Sequence, residues 1–334
     1  MSPAALTERL PEVPADSVLA GFVPPRHFAD ATFATFRPVP AHPSQEAALE
    51  RVRSVAEVAR TPRRRFARRT SPAAIYLDGG FGVGKTHLLA SLAHAVGPEA
   101  AVYGTFVEYT HLVGALGFRE VVRTLARRAL VCIDEFELDD PGDTVLMSRL
   151  LRELSDAGVA LAATSNTLPE SLGEGRFAAD DFLREIHALA ARFDVLRIDG
   201  PDYRHRGAPQ DAVGLPDAAV RAAVAGEPGA TLDDFAALLS HLRRIHPVRY
   251  GALLDGVALV GLTDVRPLAD QADALRLVVL VDRLYDLDVP VLLGGSGTRG
   301  LFGEPMLRGG YRKKYLRCLS RLEDLATRGR ASAG

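Results

Sequence analysis

The sequence of 334 residues contains no tryptophan, three methionines and two cysteines. Cys132 and Cys318 stand far apart in the chain, so they cannot supply a metal site by themselves, and we expect them to stay reduced. Long hydrophobic runs are also lacking, since the longest, such as residues 277–281, are far too short to span a bilayer. Residues 1–25 contain acids and prolines but no apolar segment flanked by bases, so we expect no signal peptide. These absences predict a cytoplasmic protein without an integral membrane segment.

The charge of the chain is nearly balanced, with 40 lysines and arginines against 42 acidic residues. A net charge of −2 gives no strong indication of a partner and leaves room for a local basic cluster. One such cluster lies in residues 63–69, where a solvated loop is a better interpretation than contact with an anion or nucleic acid. The length and the 47% hydrophobic share allow one large or two ordinary globular domains.

Composition and pattern divide the chain into four parts. Residues 1–43 are rich in proline and irregular, which predicts an extended N-terminal arm. Residues 44–205 predict a core domain that opens with a helix over Ala47–Arg60, with Ser44 as its N-cap. Residues 206–229 are rich in proline, glycine and alanine and predict a linker, and residues 230–334 predict a smaller C-terminal lid or accessory domain.

Short apolar runs alternate with amphipathic segments through the predicted core. Strands are predicted at Ala74–Leu77, Ala101–Val107, Ala129–Ile133, Val159–Thr164 and Val195–Ile198. Helices are predicted at Thr86–Ala95, Val107–Leu116, Asp143–Asp156 and Asp180–Phe193. This alternation predicts an α/β fold in which helices cover both faces of a parallel sheet.

The C-terminal part shows the same kind of alternation in a shorter form. A helix is predicted over Leu232–Leu242, and a basic amphipathic helix over Tyr311–Leu325. Between them, the apolar segments Leu253–Leu262, Leu275–Tyr285 and Pro290–Leu293 predict a further layer of sheet and helix.

The strongest motif follows the first predicted strand and opens the next helix. Its spacing is that of a P-loop, G-x-x-x-x-G-K-[ST], in the required strand–loop–helix context. The backbone N–H groups of such a loop and the N-terminus of the following helix bind phosphates. We expect the lysine to contact the β- and γ-phosphates and the threonine hydroxyl to ligate Mg²⁺. The predicted ATP-binding residues are Gly79, Gly80, Phe81, Gly82, Val83, Gly84, Lys85 and Thr86.

Two carboxylates end the apolar strand over residues 129–133. We expect Asp134 to hold Mg²⁺ through water and Glu135 to polarise the attacking water. Asn166 follows the next strand along the chain, where a side-chain amide can orient that water. Each of these signals is common in isolation, and the upstream P-loop is what favours a catalytic interpretation.

The linked segments Gly79–Leu89, Cys132–Phe136, Ala163–Asn166 and Asp202–Arg204, together with the basic tail Tyr315–Leu322, resemble the ZapE/AFG-type family of AAA+ ATPases. The resemblance extends from Phe22 onward. It implies an AAA+ P-loop core with a C-terminal lid, the cofactors ATP and Mg²⁺, and protein partners, among them the bacterial division ring. The chain departs from the family pattern at residues 137–143 and 173–177.

The resemblance also implies a homo-oligomer, because AAA+ sites usually lie between subunits and use an arginine from the neighbour. Arg176 and Arg192 are the candidates for that catalytic role. Arg317, on the C-terminal helix, is a candidate for contact with the γ-phosphate from the lid. A surface position or a structural ion pair is the alternative for each of these arginines.

The main hypothesis is therefore an ATP-hydrolysing mechanoenzyme of the ZapE type that acts on protein partners, in cell division or protein quality control. The alternative is a nucleic-acid-associated AAA+ loader of the helicase-loader or initiator type, for which Arg63–Arg69 and Arg312–Lys314 are the supporting features. A GTPase is disfavoured because the sequence has no Asn-Lys-x-Asp segment to bind guanine.

Overall fold

The computed structural model describes residues 4–11, 18–61, 73–80, 82–136, 141–166, 191–200 and 212–333. The chain forms two compact units, one of residues 19–205 and the other of residues 1–18 together with 206–334. Within the described ranges, no helix combines the length and the apolar character needed to cross a membrane. The domain limits expected from composition stay predictions.

The first unit is built on a five-stranded sheet with the order β2-β3-β4-β1-β5. Every pairing in it is parallel, and β1 lies between β4 and β5. The strands are β1 (Ala74–Gly79), β2 (Ala101–Thr105), β3 (Leu130–Asp134), β4 (Ala160–Ser165) and β5 (Asp194–Ile198). The helices are α1 (Pro43–Arg60), α2 (Lys85–Val96), α3 (Phe106–Leu116), α4 (Phe118–Leu125) and α5 (Pro141–Asp156). Because β1, β3 and β4 are buried along nearly their whole length, the predicted parallel sheet with helices on its faces is confirmed.

Two details of this unit differ from the sequence prediction. Helix α1 begins at Pro43, so Ser44 is not its N-cap. Proline suits the first helical position because its missing N–H would have no partner there, and the Ser44 hydroxyl instead accepts the N–H of Asp199 at 3.0 Å. The short helix α4 was not predicted, and it follows Gly117, whose φ of 82° ends α3. The predicted helix Asp180–Phe193 lies largely outside the described residues.

The second unit contains a three-stranded parallel sheet with the order β6-β7-β8. Its strands are β6 (Ala230–Asp234), β7 (Leu259–Thr263) and β8 (Val291–Leu293). Its helices are α6 (Asp217–Val224), α7 (Phe235–Leu242), α8 (Tyr250–Leu253), α9 (Gln271–Asp286), α10 (Glu304–Arg308) and α11 (Arg312–Ala333). The predicted layer of sheet and helix is therefore present.

The helix predicted over Leu232–Leu242 is wrong in its first turn. Leu232 pairs with Gly261 in the sheet, and helix α7 begins only after Asp234. The carboxylate of Asp234 accepts the N–H of Ala237 at 2.9 Å and so caps the helix. The helix follows the strand without a loop between them. For this reason the single apolar segment suggests one helix.

The N-terminal segment of the chain is part of this second unit. Ala4 forms a parallel bridge to Thr231, and Leu6 is fully buried in the core. The carboxylate of Asp233 accepts the N–H groups of Leu6 and Thr7 at 2.9 Å and 3.0 Å. The outer edge of β6 is therefore covered by residues that precede it by more than two hundred positions.

Helix α11 is joined to helix α9 by an ion-pair cluster. The carboxylate of Asp282 accepts hydrogen bonds from Arg317 at 3.0 Å and from Arg321 at 2.5 Å, and all three side chains are about one-fifth exposed. The guanidinium of Arg321 also lies 5.0 Å from the ring centre of Tyr285. Burial alone would raise the pKa of Asp282, but the two guanidinium groups hold it below its ordinary value.

We expect Asp282→Asn to lower the free energy of unfolding by about 3 kcal/mol, since removing one partner of a buried ion pair leaves the other charge uncompensated. The lowered pKa means that this stabilisation is full above the unfolded-state pKa of about 3.9 and is lost as the pH falls through the folded-state pKa. The difference between wild type and variant should therefore shrink in acid. Urea unfolding, monitored by circular dichroism at pH 7 and below pH 4, measures this difference in the free energy of unfolding.

Asp324→Asn is the matched control, because Asp324 pairs with Arg328 on the same helix but is 44% exposed. An exposed pair of this kind contributes less than about 1 kcal/mol. Equal losses in the two variants would contradict a stabilising role for the Asp282 cluster.

Candidate nucleotide-binding site

The predicted P-loop connects β1 to α2 in the described structure, with Phe81 lying outside the described residues. Gly79 has φ 155°, and a Cβ atom there would lie 2.2 Å from the carbonyl oxygen of Ile198 on β5. Gly84 has φ 96°, and a Cβ atom there would lie 2.6 Å from the ring of Phe36. Glycine is therefore required at both ends of the loop by backbone conformation and by close neighbours.

Lys85, the first residue of α2, ties the loop to the end of β4. Its ammonium group donates hydrogen bonds to the carbonyl oxygens of Gly79 and Gly80 at 2.7 Å and 2.5 Å. It also donates to the Oδ1 atom of Asn166 at 2.9 Å. The structure thus brings Lys85 and Asn166 together, as expected from strand ends that lie side by side at one edge of a parallel sheet.

Asp134 lies at the same edge, at the end of β3, and its side chain is held from both neighbouring strands. Its Oδ2 atom accepts a hydrogen bond from the hydroxyl of Tyr103 on β2 at 2.7 Å. Its Oδ1 atom accepts a short hydrogen bond from Thr164 on β4 and one from the N–H of Glu135 at 3.1 Å. The hydroxyl of Thr86 lies 3.4 Å from the same Oδ1 atom.

This donor set fits Mg²⁺. A threonine hydroxyl and a carboxylate are hard oxygen ligands, and Mg²⁺ is usually bound by one or two such groups together with substrate phosphates and water. The described residues include no group of three or more His, Cys, Asp or Glu side chains that could hold a metal ion alone. Thr86 and Asp134 are therefore suited to a metal that arrives with a nucleotide.

The electrostatic setting of Asp134 also favours a cation. Burial and the neighbouring Glu135 carboxylate raise the pKa of Asp134, while hydrogen bonds from Thr164 and Tyr103 act in the opposite direction. Burial likewise raises the pKa of Asp78, just before the loop, although the charges of Arg197 and Lys85 oppose the shift. A divalent cation beside Asp134 would offset the repulsion between the adjacent carboxylates.

Glu135 has a left-handed backbone conformation with φ 52°, which is uncommon for a residue with a side chain. Thr164 holds it there. The N–H of Glu135 donates to the Thr164 hydroxyl at 3.1 Å, and the N–H of Phe136 donates to the Thr164 carbonyl oxygen at 2.7 Å. Strain of this kind persists where surrounding contacts impose it, and it concentrates at functional sites.

Residues 31–36 of the N-terminal arm pack against α2 beside the loop. The Nε2 atom of His87 lies 3.1 Å from the Thr35 hydroxyl, and the His87 ring contacts Phe36 with a centroid distance of 5.7 Å. The Nδ1 atom of His94 lies 2.9 Å from the carbonyl oxygen of Ala31. His87 is thus a packing residue, and the arm forms one wall of the P-loop region, which sequence patterns did not indicate.

Arg192, one of the predicted catalytic arginines, is half-buried in the turn before β5. Strand β5 is parallel to β1, with Asp194 opposite Ile75 and Ile198 opposite Gly79. Arg192 therefore lies at the edge of the sheet opposite the P-loop. The distance from Arg192 to the P-loop edge along the strand is roughly 13 Å or more. The structure does not bring it to the P-loop of its own chain.

The roles expected for the other two arginines stay predictions. Arg176 lies outside the described residues. Arg317 belongs to the second unit, where its guanidinium binds Asp282. Its proposed contact with a nucleotide stays a prediction.

A second glycine-rich segment, Gly294–Gly297, follows β8 in the second unit and has the composition of a phosphate-binding loop. Its N–H groups, however, already have acceptors. They donate, in order along the segment, to the Leu262 carbonyl oxygen, an Asp217 carboxylate oxygen, the Val265 carbonyl oxygen and the Gly294 carbonyl oxygen. These glycines serve close backbone packing and leave no cradle for phosphate.

The chain is similar to known proteins. The family model of the AFG1-like ATPases matches residues 13–219 and 216–330. The Escherichia coli cell division protein ZapE is 32% identical over 143 residues, which cover 40% of this chain and 38% of that protein. The Danio rerio protein named Lactation elevated protein 1 homolog B is 33% identical over 78 residues, 23% of this chain and 16% of that protein. The aligned part therefore spans well under half the length of these curated relatives.

Among solved structures, the crystal structure of DnaI aligns with 54% of this chain and 94% of its own chain. Its TM-score is 0.43 and its sequence identity is 16%.

The strain at Glu135 leads to a test by paired substitutions. We expect Glu135→Gly to be more stable than Glu135→Ala by about 1 kcal/mol, because both remove the carboxylate but only glycine adopts positive φ without steric cost. Chemical denaturation of both variants gives the difference directly.

The same pair of substitutions at Glu153, in the helix α5, is the control. There glycine should be less stable than alanine by roughly 1 kcal/mol. A glycine variant that is less stable than the alanine variant at both positions would show that the backbone at Glu135 is not strained.

Proposed function

This chain belongs to the AFG1-like ATPase family, and we propose that it binds ATP with Mg²⁺ at residues 79–86 and hydrolyses the bond between the β- and γ-phosphates. The observation that carries the proposal is the meeting of three side chains from three strand ends. Lys85 follows β1, Asp134 ends β3 and Asn166 follows β4. Lys85 donates hydrogen bonds to Asn166 and to the Gly79 carbonyl oxygen, and the hydroxyl of Thr86 lies 3.4 Å from the Asp134 carboxylate. A lysine, a carboxylate and an amide at one edge of a parallel sheet form the parts of a phosphoryl-transfer site.

Each residue has a separate role in this proposal. Lys85 exchanges its bonds to the loop carbonyl oxygens for contacts to the β- and γ-phosphates. Thr86 and Asp134 would hold Mg²⁺, which would neutralise charge on the phosphate oxygens. Glu135 accepts a proton from the attacking water, and Asn166, once released by Lys85, orients that water. The exchange at Lys85 thereby couples arrival of the phosphates to the availability of Asn166.

We further propose that hydrolysis drives the remodelling of a protein partner. The similarity to a protein named for cell division supports a role in that process, with protein quality control as the other process to test. The loader alternative receives no added support from the described residues. Two basic features motivated this alternative. Arg63–Arg69 lies outside the described residues, and Lys314 lies 5.4 Å from the ring centre of Tyr311 within its own unit.

The first test separates binding from hydrolysis. Lys85→Ala should abolish tight ATP binding, because the variant loses the cation that contacts the phosphates. Glu135→Gln should bind ATP normally and lose turnover by about 100-fold or more, since an amide cannot accept the proton. Calorimetric ATP titration and phosphate release measure the two properties.

His94→Ala is a suitable control, because His94 lies on the same helix α2 but contacts the arm and not the loop. Undiminished ATP affinity in Lys85→Ala would refute the site. Normal turnover in Glu135→Gln would remove Glu135 from the proposed chemistry.

The second test concerns the arginine. Because Arg192 lies away from its own P-loop, any catalytic role requires a neighbouring subunit, and such an arginine contributes about 1,000-fold or more in turnover. We expect Arg192→Ala to be nearly inactive alone and to regain turnover when mixed with Glu135→Gln. The first variant supplies an intact Glu135 and the second supplies the arginine.

Turnover per subunit should also rise with protein concentration. Arg51→Ala is the matched control, since Arg51 pairs with Asp194 two positions from Arg192. The absence of rescue, with constant specific activity on dilution, would show that each subunit works alone. Rescue by an Arg176→Ala subunit in place of Arg192→Ala would identify Arg176 as the residue acting between subunits.

A further inference from the structure

We infer that Tyr103 is a positioning residue for the magnesium site: its hydroxyl fixes the orientation of the Asp134 carboxylate. The inference rests on the proposed function of that carboxylate. It concerns a residue of β2, a strand that contributes none of the predicted site residues.

The placement of Tyr103 follows from the register of the sheet. Tyr103 lies opposite Cys132 and Thr105 lies opposite Asp134, so Tyr103 and Asp134 are on the same face and one diagonal step apart. A tyrosine side chain is long enough to span that step. Its hydroxyl reaches the Oδ2 atom of Asp134 at 2.7 Å, and the two residues are only 3% and 6% exposed.

The other carboxylate oxygen is held from the opposite side. Thr164 on β4 and the N–H of Glu135 both donate to the Oδ1 atom. Donors from β2 and from β4 therefore bind different oxygens of the same carboxylate. This arrangement fixes the plane of the carboxylate and its direction relative to the Thr86 hydroxyl, 3.4 Å from Oδ1.

Removal of the Tyr103 hydroxyl would leave the Oδ2 atom without that donor in a site where little water can replace it. The carboxylate would then be free to rotate toward other partners. Partners that orient a metal ligand without touching the metal typically change metal affinity by roughly 10- to 100-fold when they are lost. The expected consequence is a lower affinity for Mg²⁺, with the nucleotide contacts of the P-loop unchanged.

Tyr109 provides an internal comparison. It is fully buried beside the same strands, and its hydroxyl donates to the backbone carbonyl oxygens of Val102 and Cys132 at 3.3 Å and 3.0 Å. Tyr109→Phe therefore removes the hydrogen bonds of a buried phenol hydroxyl without touching Asp134. A purely structural role for the Tyr103 hydroxyl predicts the same outcome for both substitutions.

The experiment uses the full chain, a fluorescent ATP analogue carrying a mant group, and MgCl₂. Analogue affinity is measured by titration first without Mg²⁺ and then at increasing Mg²⁺ concentration. In Tyr103→Phe, the Mg²⁺ concentration that gives half of the full change in analogue affinity should rise roughly 10- to 100-fold. Affinity without Mg²⁺, and both quantities in Tyr109→Phe, should stay at the wild-type values.

A double-mutant cycle with Asp134→Asn tests whether Tyr103 acts through the carboxylate. If it does, Tyr103→Phe should cause no further change in Mg²⁺ dependence once Asp134 is replaced. An equal effect in both backgrounds would overturn the inference. Thermal unfolding accompanies each variant, and a Tyr103→Phe chain that fails to fold while Tyr109→Phe folds would assign Tyr103 a structural role instead.

The outcomes also separate this inference from the proposed function. If the wild-type chain binds no nucleotide, or binds it without any response to Mg²⁺, the proposed function fails first. If the wild type responds to Mg²⁺ and Tyr103→Phe responds like Tyr109→Phe, only the role of Tyr103 is wrong.

Discussion

The burial of the Asp134 carboxylate is the constraint on which the rest of the first unit depends. A charge taken out of water costs several kcal/mol unless hydrogen bonds and opposite charges compensate it. The compensation here comes from Tyr103 on one neighbouring strand and Thr164 on the other. The carboxylate thus requires β2, β3 and β4 to keep one register, because a shift of a single residue would turn these hydroxyls to the opposite face.

The same requirement extends to the residues that follow the strand. Thr164 donates to Asp134 and accepts from the N–H of Glu135, so one hydroxyl links the buried carboxylate to the left-handed turn that places Glu135. Lys85 separately links the P-loop to Asn166, at the end of β4. The loop is therefore preorganised around its own lysine, and a phosphate group has to displace carbonyl and amide oxygens from that ammonium group. Such an exchange gives the site two alternative hydrogen-bonding states without requiring a change in the sheet.

Much of this was predictable from the sequence, for reasons that particular residues illustrate. The strands around Asp134 are short apolar runs bounded by polar residues, and the P-loop motif defines its own strand–loop–helix context. Tyr103 carried no such signal, because its role depends on the register between β2 and β3, which one sequence does not encode locally. Residue type alone predicts Ser44 as a cap, although Pro43 beside it begins the helix. The apolar segment from Leu232 concealed a strand, since a short apolar run fits a strand and a helix equally well.

The position of the arginines follows from the direction of the strands. In a parallel sheet the carboxyl ends of all strands meet at one edge, so residues that follow β1, β3 and β4 converge while residues that precede a strand lie at the opposite edge. Arg192 precedes β5, and Arg317 is engaged by Asp282 in the second unit. Among the described cationic groups, Lys85 belongs to the loop itself, and Arg197 on β5, opposite Asp78 of β1, is 67% exposed and paired with Asp199. A catalytic role for Arg192 therefore depends on a neighbouring subunit, and on that basis we propose an oligomer as the working form of the chain.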